Sequence, residues 1–233
     1  MNETGCIICG MPLVYMEEDE LLRCAICHKK TRSKVKCRNG HFVCDSCHMQ
    51  GLDGIVGVCM SEQSKDPVAI MEHLMDLPFC HMHGPEHHTM VGAALLTAYR
   101  NAGGQADLMR ALSEMIRRGK EVPGGICGYW GACGAAISTG IYISILTGSS
   151  PLSEEPFRLS NLMTSAALKA IGTIGGPRCC KRDSYLSLLA AIDFTAENLG
   201  IQMDRHEIQC SRMKLNDACI GKRCPFLPRH IKD

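Results

Sequence analysis

A chain of 233 residues with 25 Lys and Arg against 24 Asp and Glu has a formal net charge of +1. That removes any global electrostatic case for binding nucleic acid or an acidic membrane. The length suffices for one sizeable domain and a small module. Sixteen cysteines, several in Cys-x-x-Cys pairs, follow a start, Met1–Met11, without the basic and apolar regions of a secretory leader. Such pairs point to metal ligands in place of disulfides. A cytoplasmic, metal-loaded protein is the expectation.

Residues 1–50 read as a small zinc-binding module. They carry Cys6, Cys9, Cys24, Cys27, Cys37, His41, Cys44 and Cys47. Eight such donors make two closed tetrahedral sites, each using thiolate and imidazole. A redox dithiol or a rubredoxin-type iron site is the competing account. A module this short cannot bury enough apolar surface to fold alone, so metal would supply folding free energy. The basic run Lys29–Lys36 (KKTRSKVK) reads as a solvated loop between ligand pairs, and nucleic acid is not expected as a partner. The segment Cys24–Cys47 resembles a RING or treble-clef zinc finger. That resemblance implies one zinc on Cys24, Cys27, Cys44 and Cys47 and another on Cys6, Cys9, Cys37 and His41. A sequential set, with Cys6, Cys9, Cys24 and Cys27 on one metal, stands beside it. A protein partner gripped by the module is an open expectation.

Residues 51–77 read as a linker with one short helix, Val68–Leu77, closed by Pro78. Residues 78–233 read as a helical, cysteine-rich domain, so the fold class is mainly α. Pro85 suits the first turn of a helix, and Val91, Ala94, Leu95 and Ala98 continue it at helical spacing until Gly103–Gly104. Cys80, His81, His83, His87 and His88 therefore gather at a helix N-terminus, a natural seat for an anion. Leu108–Arg118 gives another helix. Next come Cys127 and Cys133 in a glycine-rich turn that leads into an apolar helix over Ala132–Thr147. At about 16 residues this run falls short of the roughly 20 needed to span a bilayer. An amphipathic helix follows from about Glu155 to Ile171, then a Gly175-Gly176-Pro177 turn, the vicinal Cys179 and Cys180, and a helix over Ser184–Asn198. Arg178, Lys181 and Arg182 flank the vicinal pair, where cations favour thiolate and could hold an anionic substrate. Cys210, Cys219 and Cys224 close the chain's cysteine set.

The text GICGYWGAC, then AAISTGIYISILTGSSP, then GGPRCCKRDSYLSLLAA resembles the α-subunit of iron–sulfur serine dehydratases, and more loosely the cysteine desulfidases. HMHGPEHHTMVGAA is similar to that family's substrate-binding helix start. Zinc module and core together resemble a cysteine-rich family of anaerobic microbes. The resemblance implies a [4Fe–4S] cluster on Cys127 and Cys180. The family's middle ligand has no counterpart, since Ala170-Ile171-Gly172 stand in its place, so Cys133, Cys219 and Cys224 are the candidates for a third. In that family three cysteines leave one iron open as a Lewis acid. The implied function is a lyase or desulfurase acting on a small anionic substrate or sulfur donor. Its carboxylate would sit near His83, Pro85, Arg178, Lys181 and Arg182. His87 or His88 would be the acid–base group, since imidazole titrates near neutrality. The alternative is a non-enzymatic redox or metal sensor or an assembly factor, and the plainest reading is a zinc protein whose other cysteines are core residues.

Overall fold

The computed structural model describes residues 5–48 and 53–232. Its N-terminal part is an antiparallel hairpin of β1 (Leu13–Arg23) and β2 (Lys30–Cys37), followed by a single turn of helix, α1 (Asp45–His48). The register runs from Leu13 opposite Cys37 to Arg23 opposite Lys30, with an irregularity between Tyr15 and Glu20. The basic run is therefore a strand and not a loop. Its cations face the acidic stretch Glu17–Glu20 of β1. Lys36 Nζ lies 2.5 Å from Glu20, Lys34 donates to the Glu17 carbonyl, and Arg32 donates to the Asp19 carbonyl at 3.5 Å. The hairpin escaped sequence reading because most of its residues are exposed or half-buried. A strand with no buried face lacks the alternation that betrays one.

The remainder is helical. Two helices occupy the segment expected to be a linker, α2 (Asp53–Ser61) and α3 (Pro67–Met75). Asp66 caps α3, accepting from Val68 N at 2.8 Å and Ala69 N at 3.3 Å, with Pro67 in the first turn, the residue types that start helices. Ile55 and Cys59 of α2 and Val68, Ile70, Met71 and Leu74 of α3 are fully buried in the main core. These two helices belong to the helical body.

At its centre lies α4 (His87–Asn101), buried on all sides from His87 to Ala98. Around it stand α5 (Leu108–Gly119), α7 (Gly134–Thr147) and α9 (Cys180–Leu199), with α8 (Glu155–Ile174) outside α7. A one-turn helix, α6 (Cys127–Trp130), precedes α7, and α10 (Arg229–Lys232) ends the chain. Alternating small and large residues let α4 and α7 approach closely, so that Gly92 N donates to Ser138 Oγ at 2.9 Å. The buried Tyr142 hydroxyl of α7 meets Thr195 Oγ1 of α9 at 3.1 Å, a buried polar pair satisfied internally. From Ile201 to Pro228 the chain is irregular apart from two 3-10 turns, Met213–Leu215 and Gly221–Arg223. It returns over the start of α9, with Met203, Ile208, Cys224 and Phe226 buried. No helix among the described residues is long and apolar enough to cross a membrane.

The helix expected over Ser184–Asn198 starts four residues earlier, at Cys180. Cys179 acts as its N-cap: its sulfur accepts from Arg182 N at 3.5 Å while its own N–H reaches Asp183 Oδ2 at 3.4 Å. This reciprocal arrangement works like a capping box, with cysteine where serine or threonine is usual, so the start was not visible as a capping signal.

Candidate metal centres and the recess beside them

In the hairpin module the eight donors form two compact groups. Cys6, Cys9, Cys37 and His41 make one, and Cys24, Cys27, Cys44 and Cys47 the other, with the ligand atoms of each group all within 4.8 Å of one another. The grouping is interleaved along the chain, not sequential. Zinc–sulfur bonds of about 2.3 Å in a tetrahedron put sulfurs about 3.8 Å apart. Here Cys27 and Cys44 sulfurs lie 3.6 Å apart and Cys9 and Cys37 sulfurs 3.9 Å, and His41 Nδ1 is 3.2 Å from Cys9 Sγ. Backbone N–H groups point at the sulfurs: Ile8 to Cys6 and Ile26 to Cys24, each at 3.4 Å, and His41 to Cys37 at 3.3 Å. Such donors favour thiolate. Burial pushes the Cys24 thiol up, but the N–H groups of Cys44, Cys27 and Ile26 outweigh it and bring it down to about 6. The donor set fits two closed four-coordinate metal sites.

The module is seated on the helical body through α1. Asp45 Oδ2 accepts from Gly124 N at 3.0 Å, and His48 Nδ1 lies 3.2 Å from the fully buried Glu86 carboxylate. Glu86 also accepts from His81 N at 2.9 Å, with His81 Nδ1 and His87 Nδ1 each 3.6 Å away. Burial raises the Glu86 carboxyl, but hydrogen bonds from His48 and His81 outweigh it and hold it well below the usual carboxylate range. His48 is thus an anchor of the module. The donors of His48, His81 and Glu86 are close enough together to hold a metal ion, as are those of Cys80, Glu86 and His87.

Next to that anchor, the N-termini of α4, α7 and α9 converge on one recess of about 450 Å³, counting the space at its mouth. Gly84 and His88 line it from α4, Cys133 and Gly134 from α7, and Cys180 and Asp183 from α9, with Cys127 and Arg178 closing the ring. Cys133 is the N-cap of α7 and Cys180 the first residue of α9. The positive ends of the helix dipoles therefore meet where the thiols are, which favours negative charge. Burial together with the nearby Asp183 carboxylate pushes the Cys133 thiol up to about 12. Burial likewise raises Cys180, with Arg178 opposing it.

His88 donates from Nδ1 to the Val122 carbonyl at 3.0 Å. A carbonyl can only accept, so the neutral ring carries its proton there and its lone pair on Nε2. That edge lies against Gly134, where any β-carbon would overlap the ring. Burial keeps the imidazole below its usual range. Arg178 lies over the Tyr15 ring, 5.1 Å from its centroid. Burial would weaken its charge, and the facing Cys180, Tyr15 and Cys127 more than offset that.

The other residues singled out from sequence lie elsewhere. His87 is fully buried, bonded to the Gly84 carbonyl at 3.0 Å and 3.9 Å from Cys80 Sγ. Lys181 is buried, donating to Cys80 Sγ at 3.0 Å and the His81 carbonyl at 2.8 Å. Arg182 is spent on Asp183 and on the Gly175 and Pro177 carbonyls. His83 faces Asn216 at 3.3 Å, its pKa lowered to about 4 by burial and by Arg178. Cys219 and Cys224 line a separate cavity under the C-terminal segment, so Cys133 alone of the three third-ligand candidates shares the recess. Asp183 and Tyr15 were not legible beforehand, since no spacing ties them to the thiols.

No curated protein and no solved structure matches the chain. A family model matches residues 55–227 and so spans α2 to the C-terminal segment while leaving the two N-terminal metal groups outside. The chain belongs to the family of unknown function DUF5714.

Proposed function

We propose that the chain is an iron–sulfur lyase or desulfurase working in the recess, with zinc in the two N-terminal groups. The single observation that carries this is the meeting of Cys127, Cys133 and Cys180 with Arg178 and His88 at three helix N-termini. Three thiols lining one recess would suit a [4Fe–4S] cluster with one iron left without a protein ligand. Bound there, it supplies a Lewis acid for a hydroxyl or sulfur leaving group.

Arg178 pairs with the carboxylate of a small acid, and the helix termini add to its pull. Tyr15 fixes the guanidinium from the hairpin side. His88 takes a proton through Nε2, and the Val122 carbonyl stabilises the imidazolium that forms on Nδ1–H, the role of a base held in one tautomer. Its lowered pKa keeps it neutral at pH 7, so activity rises with pH below about 6.5 and is flat above. The hairpin shields the recess from water, with Val35 against Gly125 and the Tyr129 hydroxyl donating to the Met16 carbonyl at 2.9 Å.

C127A tests the proposal. The expected result is loss of recess iron with zinc retained, and unchanged iron would overturn it. R178M should raise KM for a hydroxy- or thio-acid by more than tenfold while sparing iron.

A second reading, a metal or redox sensor or assembly factor, is favoured by the direct Asp45–Gly124 contact between zinc module and recess loop. Loss of zinc would then be felt at the recess without any substrate.

A further inference from the structure

The vicinal cysteines face different neighbours. Cys180 lines the recess, whereas Cys179 lines a second cavity beneath the C-terminal segment, of about 350 Å³ with its mouth. Cys210, Cys219 and Cys224 line that same cavity. We propose that Cys179, Cys210, Cys219 and Cys224 bind a second iron–sulfur cluster, fully ligated by thiolate.

Four observations bear on it. The rest of the lining is largely apolar, from Met82, Tyr185, Ile220 and Phe226. Four free thiols in such a place are few enough in kind and many enough in number to make a complete ligand set. Second, backbone donors are aimed at the sulfurs as in the N-terminal groups. Gly221 N reaches Cys219 Sγ at 3.4 Å, the same two-residue step seen at Cys6 and Cys24, and Arg182 N reaches Cys179 Sγ. Hydrogen bonds to the sulfurs are among the means by which proteins set cluster potentials. Third, Cys224 is followed by Pro225, the Cys-Pro step that ends ferredoxin ligand runs. Fourth, Arg182 and Arg212 border the cavity, each already paired with a carboxylate, Asp183 and Asp76.

These four are not among the sets whose donors all lie within 4.8 Å of one another, so they do not outline a single tetrahedral zinc site; a cluster, which places several metal atoms between its ligands, takes a wider set. Ile201 to Pro228 contains no helix longer than a 3-10 turn; Asp204 N to the Lys65 carbonyl at 3.0 Å, His206 to Asp66 at 2.6 Å and Cys210 N to the Phe226 carbonyl at 2.8 Å tie it down. With every iron ligated by protein, no coordination position is open to substrate.

The test is anaerobic reconstitution of the full chain with ferrous iron and sulfide. Iron, acid-labile sulfide and zinc are counted, and the dithionite-reduced protein is examined by electron paramagnetic resonance. In C210A/C224A about four irons and four sulfides per chain should disappear, with zinc and helix content unchanged. C219A alters an exposed thiol and so spares the fold; it should abolish or change the reduced-state signal. Iron, sulfide and signal unchanged in both variants would overturn the proposal, as would zinc taking the site in the wild type. Iron lost in C210A/C224A but retained in C127A would support this site and count against the recess. Iron lost only in C127A would do the reverse.

Discussion

The hairpin module and the helical body are held together by different physics. The body buries a continuous core in which α4 has no exposed face between His87 and Ala98, and each such leucine or methionine contributes about 1.5–3 kcal/mol. The module's buried cluster consists of Cys24, Phe42, Cys44 and Cys47, three of them metal donors. One region folds by removing apolar surface from water. The other has almost none to remove, and its cysteines stand where a core would be. The contrast teaches that cysteine stands in for a core at the N-terminal end, whereas the body builds its core from leucine, methionine and alanine.

Stripping metal gives the widest separation between the regions. Structural zinc supplies about 10–16 kcal/mol in small modules, so a strong chelator should unfold β1 and β2 and leave the body intact. Hydrogen exchange would show β2 amides losing protection while those of α4 keep it; equal loss in both would break the comparison.

The joint between the regions comes next. Removing one partner of a buried charge pair costs about 3–5 kcal/mol, so E86Q should lower the urea midpoint by a corresponding amount, and a change under about 1 kcal/mol would deny Glu86 its role as anchor. The pH dependence follows from signs. His83, His87 and His88 are all depressed below their usual 6.5, mainly by burial. Their contribution to stability is therefore full above pH 6.5 and falls as acid forces protons onto the unfolded chain first. Burial lowers His48 and His206, but their facing carboxylates outweigh it and raise both, so they contribute in the opposite sense, losing stability as pH rises past 6.5. Glu86, held below its usual 4.5, extends the acid loss to still lower pH. E86Q should flatten the part of a thermal-midpoint titration below about 4.5 and remove the His48 contribution near 6.5.

Within the body, G134A adds a methyl against the His88 ring and should cost about 1–3 kcal/mol, as overpacking does. It should also weaken the recess, read as a lower iron content after reconstitution. D45N, at the Gly124 contact, is the smallest change expected, at about 1 kcal/mol; its diagnostic reading is faster exchange at the Gly124–Gly125 amides.

Much of the helical body could be read beforehand because its signals are local. Pro78 and Pro85, Gly103–Gly104 and the apolar spacing of α4 each announce themselves in a few residues, whereas the Asp66 cap of α3 went unread. The hairpin could not, because its faces are both wet and its charges pair across strands. The eight N-terminal donors were legible from spacing; the zinc-finger resemblance implied their interleaving beside a sequential alternative, and the folded hairpin decides for the interleaved set. The recess was half visible. Cys127, Cys133 and Cys180 stood out with their glycines, but Arg178 could be told from Lys181 and Arg182 only once the last two were seen to be buried and engaged. The split of Cys179 from Cys180 depends on helix phase at the first residue of α9, which no composition reveals.

The most direct measurement is strictly anaerobic purification, an ultraviolet–visible spectrum, and a count of zinc, iron and acid-labile sulfide. The account predicts about two zinc per chain, from two four-donor groups, and a brown protein with iron and sulfide in equal amounts. A colourless protein holding zinc alone, after anaerobic reconstitution as well as before, would contradict it.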